Sequence, residues 1–179
     1  MSKPDDKRQR TPPQNLSPRP GLLYKTVGVA GDPAGAREPH HHVFTFLSKN
    51  RAWMVCGYSA GRPEIERRKQ QAWTSLGIPA EIGFPEIDFE KCVTFFRRES
   101  QGHRTVLDVE AVRSRPIADL RTIGHPSGEM NDRCRLRVLQ AVYEYAEWVD
   151  RNWSNLQRLN PRARRDLASE IVRLRGRAA

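Results

Sequence analysis

The stretch Gly61-Arg62-Pro63-Glu64-Ile65-Glu66-Arg67-Arg68-Lys69-Gln70-Gln71-Ala72-Trp73-Thr74-Ser75-Leu76-Gly77-Ile78-Pro79-Ala80-Glu81-Ile82-Gly83-Phe84 decides how this chain is read. Pro63 suits the first turn of a helix, where its missing N–H is not needed, and Gly77 suits the left-handed residue that ends one. The spacing predicts a helix between them and then a short strand over Ile78 to Phe84. On a helical projection Ile65, Ala72, Trp73 and Leu76 share one side, so that stripe is expected to be buried. Arg62 and Arg68 flank the stripe, and Arg67 points away from it. A loop that opens a helix and carries guanidinium groups can seat a phosphate, because free backbone N–H groups and the helix dipole add to the Arg charge. A solvated basic helix face has the same composition.

The whole chain is basic. Its 179 residues hold 31 Lys and Arg against 21 Asp and Glu, a formal net charge of +10. Such an excess favours a polyanionic partner, with nucleic acid first because Arg binds phosphate bidentately and stacks on bases. No apolar run approaches a membrane span and the N-terminus lacks a hydrophobic leader core, so a soluble, cytoplasmic protein is expected. Cys56, Cys92 and Cys134 lie far apart with no Cys-x-x-Cys pair, which suggests neither a zinc ribbon nor a disulfide framework. Cys56, in an apolar run, reads as a small core residue; a catalytic thiol has no His partner that spacing alone assigns.

Three regions follow from composition: a basic arm over 1–20, a mixed-sheet core over 21–126 and a helical extension over 127–179. The arm has Lys3, Lys7, Arg8, Arg10 and Arg19, several prolines and almost no large apolar side chain, so it is expected to be disordered and to add non-specific affinity for nucleic acid. In the core, Leu22 to Val29 reads as a strand, ending in a Gly31-Asp32-Pro33-Ala34-Gly35 loop. A hairpin follows, from the alternating His42 to Leu47 run to Ala52 to Tyr58. Placing Phe44 and Phe46 inward puts His40 and His42 on the same face and His41 opposite. Adjacent strand histidines diverge and do not readily share one metal ion; a general base, a phosphate contact and a structural role all remain open for them.

Two further clusters carry potential chemistry. Asp88, Glu90 and Lys91 are the ingredients of a metal-dependent nuclease site, in which carboxylates hold Mg²⁺ and Lys stabilises developing charge. Arg97, Arg98, His103 and Arg104 lie in a polar loop after the strand at Cys92 to Phe96 and can converge on a phosphate. Thr105 to Val112 carries mixed signals for strand and helix. Beyond it, apolar residues from Cys134 to Leu159 at helical spacing predict a long amphipathic helix over Asn131 to Leu159, and Leu167, Ile171 and Leu174 mark a second. Arg162, Arg164 and Arg165, with Arg173, Arg175 and Arg177, make that second helix a candidate backbone-tracking surface or a solvated basic face.

The order of strand, turn, Glu66-Arg67-Arg68, helix, Gly77 and Ile78-Pro79 resembles the strand-loop-helix-strand unit of the ParB/sulfiredoxin superfamily, with Ile65 where that motif has glycine. Gly102-His103-Arg104 is a second candidate for the same motif. A free-standing basic chain of this size looks like the Osa family of plasmid fertility-inhibition factors. The resemblance implies an α/β (α+β) fold, ATP binding near Arg62, Arg67 and Arg68, and DNase activity that blocks transfer of a conjugating DNA strand through a type IV secretion system. Carried over by motif, Glu66, Arg67 and Arg68, or His103 and Arg104, are the phosphate-binding and catalytic groups. Two other readings share the residues: a non-catalytic nucleic-acid-binding regulator, and a protein-binding inhibitor that docks through Trp148 and Trp153 of the aromatic C-terminal helix.

Overall fold

Alternating and β-branched residues extend in the first half of the chain. Strand β1 (Leu22–Thr26) pairs with β2 (His40–Ser48), and β2 turns into β3 (Arg51–Ser59) through Lys49-Asn50. Lys49 takes φ 52°, the left-handed conformation that a two-residue hairpin turn asks for. The computed structural model describes residues 16–26, 40–96, 104–153 and 159–178. The expected loop at Gly31 to Gly35, Arg97, Arg98 and His103 fall outside these residues, as does most of the basic arm.

Helix α1 (Pro63–Leu76) begins at Pro63 and stops at Gly77 (φ 66°, ψ 25°), whose N–H donates to the Trp73 carbonyl while the Ile78 N–H donates to the Ala72 carbonyl. The expected strand after it is instead a single helical turn, α2 (Ala80–Gly83), capped by Pro79. Proline at a cap position and apolar residues four apart, Ile78 and Ile82, suit a turn of helix as well as they suit a strand. Ile78 and Phe84 are buried at its two ends. Trp73 is not buried as expected: its side is 59% exposed, while Ile65 and Ala72 face the core and Arg68 lies between them on the same stripe.

Next come β4 (Glu86–Asp88), α3 (Phe89–Cys92), β5 (Val93–Phe95) and the 13-residue β6 (Arg104–Pro116). The Thr105 to Val112 segment that carried mixed signals is continuously buried over most of its length, so the period-two contrast that marks a half-exposed strand is missing. Helix α4 (Ile117–Ile123), β7 (Gly128–Met130), α5 (Asp132–Asn152) and α6 (Pro161–Ala178) complete the chain. α5 stops at Asn152 rather than continuing to Leu159. α6 runs through Gly176. The protein is thus α/β, with no helix among the described residues long and apolar enough to cross a membrane.

Among the described residues every strand pairing is antiparallel, and seven strands run β4-β6-β3-β2-β1-β7-β5. The two ends of this order, β4 and β5, are joined by the single turn of α3. A connection so short forces the sheet to curl until its ends approach. α5 and α6 pack on the large core with β2 and β6; α4 and Leu16 cover a second, smaller core. That smaller core holds Leu22, Tyr24, Phe44, Ala52, Met54 and Leu120.

The expectation that Phe44 and Phe46 share a face is corrected by a β-bulge. Phe46 pairs with Trp53 but Phe44 pairs with Met54, so Thr45 is an extra residue. Phe44 consequently enters the small core, and Phe46 stacks on Trp53 in the large one, with ring centroids 5.6 Å apart. The bulged residue is tied down. Thr45 Oγ1 donates to the Trp53 carbonyl at 2.7 Å, and its own carbonyl accepts from Arg135 Nε at 3.3 Å.

Cys92 and Cys134 form a disulfide, Cα to Cα 5.5 Å, which the spacing of the cysteines did not suggest. Although 42 residues separate them, the end of α3 meets the start of α5. Asn131 organises the junction: its Nδ2 donates to the Lys91 carbonyl, its N–H to the Cys92 carbonyl, and its Oδ1 caps α5 by accepting from the Cys134 N–H.

Candidate nucleic-acid interface

At the start of α1 the structure brings together less positive charge than the sequence offers. Arg62 occupies the N-cap and is exposed, and Gly61 turns the chain into it at φ 79°. The Ala60 N–H donates to the Arg104 carbonyl at 2.9 Å, so the first residue of β6 sits beside this loop. The Arg104 side chain, however, turns to Glu86 on β4. Glu64 and Glu66 lie in the first turn of α1, where their carboxylates oppose a phosphate at the positive end of the helix dipole. Glu66 also accepts from Lys69 at 2.9 Å.

Arg67 and Arg68 go separate ways. Arg67 is exposed and its Nε donates to the Pro63 carbonyl at 3.4 Å. Arg68 turns down onto β6, where its Nη2 lies 2.7 Å from Asp108 Oδ2 and 3.2 Å from Glu110 Oε2. Two carboxylates neutralise this guanidinium, and it fastens α1 to the sheet. A cavity of about 220 Å³ opens beside it, lined also by Gln71, Ser75 and Glu110. Of the proposed metal carboxylates, Asp88 caps α3 by accepting from the Glu90 N–H at 3.0 Å and lies 3.4 Å from Lys91 Nζ. Among the described residues, no group of three or more His, Cys, Asp or Glu is arranged to hold a metal ion.

His42 is buried, and His40 and His41 are half-buried. The row His42, Cys56, Asp108 runs in register across β2, β3 and β6, with Cys56 Sγ 4.0 Å from His42 Nε2. Burial pushes the Asp108 carboxyl up to about 6, against the pull of Arg68, and pushes the Tyr58 hydroxyl up as well. Thiol, imidazole and carboxylate are the groups of a nucleophilic site, but all three side chains are fully buried and no substrate reaches them. His40 lies against the Tyr58 ring, centroids 4.7 Å apart, and His41 between Phe89 and Phe95.

Exposed positive charge collects where α5 begins and α6 ends. The two helices lie antiparallel: Arg164 of the first turns of α6 meets Asp150 near the end of α5 at 2.5 Å, and Arg177 near the end of α6 lies 3.9 Å from Asp132 in the first turn of α5. Arg135 is buried beneath this end. It bonds Glu170, which also accepts from Arg173 at 2.6 Å. Burial, with the nearby charges of Arg173 and Arg177, lowers the Arg135 pKa to about 10. Arg133 and Arg137 are exposed and fall on one helical stripe with Gln140 and Glu144, which with Arg175 line a groove of about 270 Å³ between the helices. This end therefore carries Arg133, Arg135, Arg137, Arg173, Arg175 and Arg177 against the carboxylates of Asp132 and Glu170, with Glu144 in the same groove as Arg175.

Of the other α6 candidates, Arg164 is taken by Asp150, Arg162 lies 3.8 Å from Asp166, and Arg165 is exposed. The sequence reading named the arginines of α6 but not Arg133 and Arg137. Their spacing of four on the polar side of an amphipathic helix was the available signal; that they meet the far end of the next helix was not legible without the hairpin. No protein-family model, curated protein or solved structure matches the chain, and none bears on its resemblance to the ParB/sulfiredoxin superfamily.

Proposed function

We propose that this protein binds nucleic acid, without cleaving it, through the guanidinium-rich end of the α5–α6 hairpin. The observation that supports this is that the start of α5 meets the end of α6, with Arg177 3.9 Å from Asp132 and Arg135 bonded to Glu170, which gathers the exposed Arg133, Arg137, Arg173, Arg175 and Arg177 at one end of the hairpin. Like charges held together in a folded protein seek an anion, and a phosphate backbone supplies anions at a regular spacing. Among the described residues Arg133, Arg137 and Arg175 make no carboxylate contact like those that occupy Arg68 and Arg164, and Arg177 lies 3.9 Å from Asp132. An inhibitory effect on conjugative DNA transfer, which the family resemblance implies, then needs only occupancy of the strand.

Fluorescence anisotropy with a labelled DNA oligonucleotide, single-stranded and duplex, tests this reading. Binding should weaken steeply as salt rises, with a log–log slope of roughly −0.7 to −0.9 per phosphate contact. Replacing Arg133, Arg137, Arg175 and Arg177 together by Ala should reduce affinity by more than about tenfold and flatten that slope. Unchanged affinity in this variant, or binding indifferent to salt, rejects the assignment.

A further inference from the structure

The groove of about 270 Å³ between α5 and α6 holds groups that a phosphate backbone does not use. Ile171 is buried in its lining, Tyr143 is half-buried, and Val172, at 68% exposure, is the most exposed large apolar side chain among the described residues. Together they form a concave apolar strip in which a flat ring leaves water. Gln140 and Glu144, one helical turn apart on α5, and Arg175 on α6 supply its polar groups. Among the described residues Glu144 has no ion-pair partner. A carboxylate beside a cation cluster repels the phosphates that the arginines attract, so the groove is not a further phosphate site. The same carboxylate accepts from an amino group, such as the exocyclic amino group of cytosine, and the Gln140 amide both donates and accepts.

We infer that the groove seats one unpaired nucleobase, its edge against Glu144 and Gln140, and that the ligand of the hairpin is therefore a single strand. This seat rests on the phosphate contacts proposed above and deepens them: the strand whose phosphates meet Arg133, Arg137, Arg175 and Arg177 turns a base into the groove that Arg175 helps to line. A base inside a duplex has its faces stacked and its pairing edge occupied, and enters such a groove only after unpairing. The volume is small for a drug-sized ligand and suits one flat ring system.

The test is anisotropy of the full-length protein with three labelled strands of equal length and charge: oligodeoxycytidine, oligothymidine and an abasic strand that keeps the phosphates and lacks the bases. The native protein should bind oligodeoxycytidine about fivefold or more tightly than the abasic strand, as the gain of one seated base does. Oligothymidine should fall between them, because thymine keeps the ring but has no amino group. Glu144→Gln should bring the two base-bearing strands together. Ala168→Trp, which fills the groove, and Val172→Ser, at an exposed position, should lower both toward the abasic strand and leave duplex binding unchanged. The variant lacking Arg133, Arg137, Arg175 and Arg177 should weaken all three strands alike. Equal affinity of the native protein for base-bearing and abasic strands overturns the base seat and leaves the phosphate contacts standing; so does a preference for bases that survives both Ala168→Trp and Val172→Ser. Failure to bind any strand overturns the nucleic-acid reading and the seat with it.

Discussion

Arg135 Nε donates to the Thr45 carbonyl at 3.3 Å, so the first turns of α5 are tied to the extra residue that bends β2. The bulge frees a backbone carbonyl from the ladder, and a carbonyl buried without a partner is unfavourable. A buried guanidinium meets that need, and Glu170 of α6 balances its charge. One side chain therefore joins strand, hairpin and basic surface.

Replacing Arg135 by Leu should cost roughly 2–4 kcal/mol in unfolding free energy, because the Thr45 carbonyl and Glu170 both lose a buried partner. Arg135→Lys should recover only part of this, since an ammonium cannot reach both groups with fixed planar geometry. Urea unfolding followed by circular dichroism measures both variants. A loss under about 0.5 kcal/mol for Arg135→Leu contradicts the role given to it.

The Arg68–Asp108 pair makes stability depend on pH. Asp108 has a folded pKa raised to about 6 by burial, above its unfolded value, so its contribution to stability is fully present below the unfolded pKa and is lost as pH rises through 6. Unfolding free energy should thus fall between about pH 4 and 7 relative to Asp108→Asn, by an amount on the order of 1–3 kcal/mol. At pH 7 Arg68→Ala should be strongly destabilising, by roughly 3–5 kcal/mol, because it leaves a buried carboxylate unpaired. Parallel pH profiles for the native protein and Asp108→Asn would count against the raised pKa.

Reduction should loosen the junction of α3 and α5. Closing a loop between Cys92 and Cys134 contributes about 2–4 kcal/mol, mainly by restricting the unfolded chain. Denaturation midpoints with and without reductant should differ accordingly, and Cys92→Ser with Cys134→Ser should behave as the reduced protein does. Alkylation of the native, oxidised protein should label no cysteine, because Cys56 is buried. Rapid labelling of two thiols before unfolding would show that the bridge is not formed.

Trp153 and Trp73 should respond differently to replacement. Trp153 Nε1 donates to the Leu76 carbonyl at 2.9 Å and thereby caps the end of α1 from α5, so Trp153→Phe should lose about 1 kcal/mol. Trp73 is exposed, and Trp73→Ala should stay within about 0.5 kcal/mol of the native protein. Thermal melts of the two variants make the comparison, and a larger loss for Trp73 would reverse it.

Local signals were legible where a single residue dictates the backbone. Pro63 and Gly77 mark the ends of α1, and the strand-turn-strand pattern around Lys49 marks the hairpin. Signals that depend on register were not. Counting back from the turn pairs Cys56 with Val43, and only the bulge at Thr45 slides His42 opposite the thiol. Arg68 was read as a flanking cation because two carboxylates on a strand forty residues later cannot be placed from a helical projection. The cation cluster at the hairpin end and the bridge between Cys92 and Cys134 are likewise consequences of which element ends meet. Net charge does not say which arginines turn inward to carboxylates, as Arg68 and Arg164 do.

The place of β1 has an outcome for synthesis. This strand leaves the ribosome well before one of its two neighbours, β7; Ser127 N donates to Leu23 O across a separation of 104 residues. Until β7 has been made, the outer edge of β1 offers unpaired amide and carbonyl groups to any extended peptide nearby. Nascent chains truncated before Gly128 should therefore aggregate or recruit chaperones, whereas release of chains carrying β7 closes that edge.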